Sequence, residues 1–244
     1  MRLRWIALAL ACIAGFAGWL GYIGYFGGPV FTEIPAAVPK PRVTAILLSG
    51  DMGFRIGMGP KIARRLAADG IPVLGVSSLT YFRHQRTPAE VTALISESVR
   101  RAKTFGHTDR LILIGQSFGA DMLHVGLAKA PPALRAQIGM VALVVPTDTV
   151  FYRASPSELF NWAEPDAWAL PTARLLDWVP LVCVRGAEET DSLCPLLTQV
   201  NAKSVTLPGG HPLHHDDEAL YRALKRSIAE TIPGAFPPLP IGAS

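Results

Sequence analysis

The sequence predicts an α/β fold: a mostly parallel sheet with helices on both faces, preceded by an N-terminal membrane helix. Three observations carry this reading. From Val43 onward, short and wholly apolar segments alternate with helical ones, the pattern of strands buried on both faces. A Gly-x-Ser-x-Gly turn joins one such strand to the helix after it. Finally, the stretch from Trp5 to about Gly28 holds no charged residue, and ~20 such residues are enough to cross a bilayer.

At 244 residues, 50% hydrophobic and 17% charged, the chain can bury one substantial core, which excludes a disordered protein. Its net charge of +4 is spread over an Arg-rich background without a basic run, so it lacks a nucleic-acid-binding footprint. Mild attraction to an anionic lipid surface is the most that it implies. Arg2 and Arg4 precede the apolar stretch, and no basic residue follows until Lys40 and Arg42. That asymmetry places the N-terminus inside and the bulk of the chain outside, in a bacterium the periplasm. The stretch is longer than the ~7–15 apolar residues of a cleaved signal and lacks a clean small-residue cleavage site, so it is expected to stay as an anchor. If it is cleaved, the domain is released into the periplasm. Cys12, within the run, reads as an ordinary membrane residue. Residues 29–42 carry Pro29, Pro35, Pro39 and Pro41 and are expected to be an extended linker.

The folded domain, residues 43–232, is expected to open with a strand at Val43–Leu48, then a helix near Pro60–Ala68 and a strand at Pro72–Val76. Thr87-Pro88-Ala89-Glu90 combines an N-cap, a proline at the first helical position and a capping-box acid, so a helix starts there. Strands follow at Leu111–Ile114, Met140–Val145, Leu181–Val184 and Ser204–Leu207, with a helix after Ser117 and a last one over Asp216–Thr231. Between Pro146 and Pro180 the alternation lapses while Phe151, Tyr152, Phe160, Trp162, Trp168 and Trp178 crowd together. This insertion either lines a pocket or forms local core. Residues 233–244, rich in proline, read as a disordered tail.

Gly115-Gln116-Ser117-Phe118-Gly119 sits between the strand Leu111–Ile114 and a segment able to start a helix, the context a nucleophile elbow requires. A serine hydroxyl needs a base to take its proton and an acid to orient that base. In α/β-hydrolases the order along the chain is Ser, acid, His. His211 follows the strand Ser204–Leu207 directly and is the first choice, with His214 and His215 as rivals. His84, His107 and His124 read as surface or core residues, without metal spacing, and no cofactor is implied. The acid should lie on the loop after Leu181–Val184, where Glu188, Glu189 and Asp191 compete. A turn at Gly186 favours Glu189, with Asp191 next. For the oxyanion hole the donors are the Phe118 amide and, on the loop Ser49-Gly50-Asp51-Met52-Gly53, the amide of Asp51 or else Met52. Met52 and Asp121 are assigned to the substrate pocket, Asp121 either facing a cationic group or merely complementing the helix N-terminus. Cys183 and Cys194 bracket the acid loop and are expected to form a disulfide in an oxidising compartment.

At these residues the sequence resembles the VirJ/AcvB bacterial virulence family. The resemblance runs from about Thr44 to Ile232 through Leu48-Ser49-Gly50-Asp51, Tyr81-Phe82, Arg86-Thr87-Pro88, Gly115 to Asp121, Gly186 to Cys194 and Leu207-Pro208-Gly209-Gly210-His211. It implies a periplasmic α/β-hydrolase fold, hydrolysis of aminoacyl-phosphatidylglycerol, notably the lysyl ester, and a link to type IV secretion proteins as partners. Met52, Gln116 and Pro212 depart from the family, which tends to have Gly, an aromatic and a second His there. The departures bear on substrate fit and spare every triad candidate. A general esterase or thioesterase would use the same machinery, and a non-catalytic secretion accessory could retain the fold alone.

Overall fold

The computed structural model describes residues 2–36, 41–154 and 164–237. Its elements are α1 (Arg2–Ile23), β1 (Phe31–Ile34), β2 (Thr44–Leu48), α2 (Met58–Ala68), β3 (Val73–Val76), α3 (Ser78–Phe82), α4 (Pro88–Gly106), β4 (Leu111–Gln116) and α5 (Phe118–Ala128). There follow α6 (Pro132–Arg135), β5 (Ile138–Val144), β6 (Thr149–Val150), β7 (Ala167–Trp168), α7 (Leu170–Ala173), β8 (Leu181–Gly186), β9 (Ala202–Leu207) and α8 (Asp217–Thr231).

The main sheet has the order β1-β3-β2-β4-β5-β8-β9. All its strands are parallel except β1, which runs antiparallel to β3. Every residue of β2, β3 and β5 is buried, as the unbroken apolar runs predict for strands covered on both faces. One core lies under α4 and α5, and a second under α2 and α8. The start of α4 has the predicted form: Thr87 accepts from the Glu90 amide while Glu90 reaches back to the Thr87 amide.

Three segments differ from expectation. Within the expected linker, Phe31–Ile34 pairs with Val73–Val76 as an edge strand. Its backbone satisfies the free edge of β3, Thr32 and Ile34 are β-branched, and Pro29 and Pro35 bound it. In the insertion, Phe151, Tyr152 and Trp178 pack against the core, while Trp168 is exposed. Local core is therefore the reading that holds for those three residues; Phe160 and Trp162 lie outside the described residues. The start of the expected tail is ordered against the domain, with Ala235 buried and Lys225 over the Phe236 ring. Residues 238–244 lie outside the described residues.

Candidate active site

The parallel strands share a C-terminal edge, and the loops leaving it carry the chemistry. At the end of β4 the chain turns so sharply that Ser117 takes φ 52, a left-handed conformation costly for a residue with a side chain. Only glycines fit beside it. A Cβ on Gly115 would come within 2.4 Å of the Gly119 carbonyl oxygen, and one on Gly119 within 2.4 Å of the Ser49 carbonyl oxygen. Val145, one strand over, also has positive φ (47) and lines the same pocket. For a β-branched residue this is a strained position.

The turn lifts Ser117 out of the sheet, where its Oγ lies 2.8 Å from Nε2 of His211. On the other side of the ring, His211 Nδ1 is 2.8 Å from Oε1 of Glu189. The second carboxylate oxygen, Oε2, accepts from the Gly186 amide at 2.7 Å. The Glu189 side chain is 1% exposed and that of His211 40%, so the acid is shielded and the base faces the pocket. With Nδ1–H held by the carboxylate, the imidazole presents its Nε2 lone pair to the serine hydroxyl.

The structure thus brings together Ser117, His211 and Glu189 and leaves their rivals apart. Asp191 and Glu188 are exposed. The Asp191 carbonyl accepts from the Asp148 amide, and its carboxylate acts on Asp148 and Asp121 instead of on His211. Asp191 therefore does not orient the base. His215 is exposed on the pocket rim, and His214 is exposed beside Gly209. His84 and His107 are on the surface, whereas His124 is fully buried. Cys183 and Cys194 are disulfide-bonded, with Cα atoms 5.5 Å apart, and so close the loop that carries Glu189.

A cavity of about 310 Å³ opens over Ser117, lined by Gly50, Asp51, Met52, Met58, Gln116 and His211 among others. The loop after β2 hangs close above the serine: a Cβ on Gly50 would lie 3.5 Å from that of Ser117. As the first residue of α5, Phe118 has an amide without an intrahelical acceptor, near the positive end of the helix. The Asp51 carboxylate belongs to this loop at the cavity wall. Burial raises the pKa of that carboxylate, against the lowering effects of His211 and of the Asp51 and Met52 amides.

Asp121 does not reach the pocket. One turn into α5, its side chain points beneath the loop after β5, where Oδ1 accepts from the Thr147 amide (3.1 Å) and Oδ2 lies 3.0 Å from Thr147 Oγ1. It is 5% exposed, and burial holds its pKa well above the usual carboxylate range. Sequence reasoning missed Val145 as a pocket residue and reached Gln116 only as a departure bearing on substrate fit. The signal was their position, at the ends of adjacent strands flanking the elbow.

A serine on a strand-to-helix turn, with a glutamate and a histidine on the loops after two later parallel strands, defines an α/β-hydrolase fold. The chain belongs to the VirJ family of bacterial virulence proteins, which it matches over residues 42–232. No curated protein sequence matches it. Among solved structures it is similar to Est1E from Butyrivibrio proteoclasticus, at 17% identity and TM-score 0.60, covering 83% of this chain and 94% of that one. It is also similar to XC6422 from Xanthomonas campestris, described as a serine hydrolase without a lid, at 18% identity and TM-score 0.57, covering 84% and 92%. The esterase domain of a Rhodothermus marinus protein aligns at 14% identity and TM-score 0.56, covering 81% and 91%. At such identities the likeness is one of fold.

Proposed function

We propose that this protein is a serine ester hydrolase that cleaves the aminoacyl ester of aminoacyl-phosphatidylglycerol, notably the lysyl ester, at the periplasmic face of the membrane. The observation that carries hydrolysis is the unbroken relay Ser117–His211–Glu189 at the floor of an open cavity. His211 Nε2 takes the Ser117 proton as Oγ attacks the aminoacyl carbonyl. The tetrahedral oxyanion is held by the Phe118 amide and by the Asp51 or Met52 amide. On collapse, His211 gives its proton to the departing glycerol oxygen, releasing phosphatidylglycerol and leaving the aminoacyl group on Ser117. Water, deprotonated by His211, then frees the amino acid.

Two features support an aminoacylated lipid within the ester class. The VirJ family match brings that expectation, and the apolar α1 suits a membrane substrate. Asp51 supports a cationic acyl group. It lines the cavity over Ser117, where its carboxylate can meet the ammonium of the substrate. The test compares full-length protein on lysyl-phosphatidylglycerol vesicles and on a short aryl ester. Asp51→Asn is expected to raise KM for the lysyl ester about tenfold and to leave the neutral ester within about twofold, since a charged contact is worth ~1.5–3 kcal/mol. Hydrolysis of the aryl ester alone would leave a general esterase, and hydrolysis of neither would favour a non-catalytic accessory.

A further inference from the structure

The end of α1 is seated on the domain. Ile23 is 4% exposed and belongs to the core cluster that includes Leu48, Val76, Phe82 and Phe118. Arg55 Nη1 donates to the Tyr22 carbonyl at 2.7 Å, and Arg83 Nη1 to the Phe26 carbonyl at 3.0 Å. The fit is close enough that a Cβ on Gly53 would lie 2.8 Å from the Ile23 carbonyl oxygen. Gly53 itself lines the cavity over Ser117. The helix foot and the pocket therefore share one loop.

The position of that foot sets an orientation. Gly53 and Arg55 follow the C-terminal end of β2, and Thr80 and Arg83 follow that of β3. This is the same sheet edge from which Ser117, Glu189 and His211 project. Beyond the foot, α1 stands clear of the domain: residues 4–19 are exposed, and the window Arg4–Ile23 has mean hydropathy 2.0. The whole helix of 22 residues, at 1.5 Å each, is ~33 Å long, and its clear part, residues 4–19, makes up ~24 Å of that, against ~30 Å for a bilayer core. Trp19, Tyr22 and Phe26 are exposed around the foot, where a membrane interface selects aromatic rings. No spacer separates that aromatic ring from the buried Ile23.

We infer that α1 is a rigid mount that turns the catalytic edge toward a phospholipid bilayer, holding the Ser117 pocket at headgroup level. The exposed Arg55 spends one donor on the Tyr22 carbonyl of α1, and the half-buried Arg83 one on the Phe26 carbonyl just after it; each keeps others for lipid phosphates. Substrate would then enter the pocket from the membrane plane without leaving it. This rests on reading α1 as a membrane span, and it deepens the proposed lipid reaction by giving its direction of approach.

The test uses full-length protein carrying Cys12→Ser, reconstituted in phosphatidylglycerol vesicles. A fluorophore is attached at Glu188→Cys, on the catalytic edge, or at Val200→Cys, which precedes β9 and so lies at the opposite edge; both sites are exposed. Quenching by headgroup-spin-labelled lipid is expected to be at least threefold stronger at position 188 than at 200. Arg55→Ala with Arg83→Ala should reduce that preference by half or more. Equal quenching, none at either site, or the reverse ranking overturns the orientation. Aryl-ester turnover, read in the same vesicles, separates the two ideas: its absence would defeat hydrolysis while leaving the quenching result to stand.

Discussion

The Gly186 amide donates to Oε2 of Glu189, which leaves Oε1 alone to meet His211. One carboxylate is thus fixed at both ends, by β8 through Gly186 and by the catalytic loop through His211. Glu189→Gln keeps the shape and the amide contact but loses the charge and favours the wrong imidazole tautomer. Its kcat is expected to fall about 10⁴-fold, whereas Asp191→Asn should stay within about twofold, since Asp191 acts on other groups. Steady-state kinetics of the two variants on one ester decides between them; the reverse ranking would move the acid to Asp191.

The disulfide makes a second case. Cys183, in β8, and Cys194 close a loop that includes Glu189, and separating them should cost about 2–4 kcal/mol of stability. Exported protein, denatured without reductant, is expected to show a single reactive thiol, that of Cys12. Finding three thiols would refute the bridge.

Two buried groups in α5 give opposite pH dependences. Burial pushes the His124 pKa down to about 3 from 6.5. The neutral imidazole's contribution is therefore complete above pH 6.5 and is lost as pH falls toward 3, by about 1.4 kcal/mol per unit. Asp121 has a raised pKa, so its contribution is complete below 3.8 and is lost as pH rises toward the folded-state value. Thr147 Oγ1 donates to Asp121 Oδ2 at 3.0 Å and lies 2.8 Å from the Thr149 carbonyl, and its single hydrogen serves one of them at a time, so a neutral Asp121 completes both contacts. Asp121→Asn mimics that neutral acid. It should unfold at a higher temperature than the parent at pH 7 and at a similar one at pH 3. His124→Leu should flatten the fall in stability between pH 6 and pH 4. An Asp121→Asn protein less stable than the parent at pH 7 would show that the carboxylate is ionised there.

The candidate triad was legible because its signals are local. Gly115 to Gly119 sits between an apolar strand and a helix, Gly186 ends the buried β8, and His211 follows the half-exposed β9, so chain order and topology bring Ser117, the Glu188–Asp191 loop and the histidine loop to one edge, and only the tertiary contacts select Glu189 and His211. What stayed hidden depends on tertiary contact. Phe31–Ile34 is too short to outweigh its prolines and becomes a strand only because β3 offers an unpaired edge. The direction of Asp121 depends on Thr147, a distant residue with no motif of its own. Nothing in an apolar run announces that Ile23 leaves it to enter the core.

Treating full-length protein with a fluorophosphonate, and locating the adduct by mass spectrometry while ester turnover is followed, decides whether Ser117 is the nucleophile. The adduct is expected on Ser117 alone, with turnover lost in proportion. Ser117→Ala should fold normally, take up no label and lose about 10⁴–10⁶ in kcat. An unlabelled Ser117 in a fully inhibited protein, or a Ser117→Ala variant that keeps a tenth of the parent's turnover, would contradict the serine mechanism.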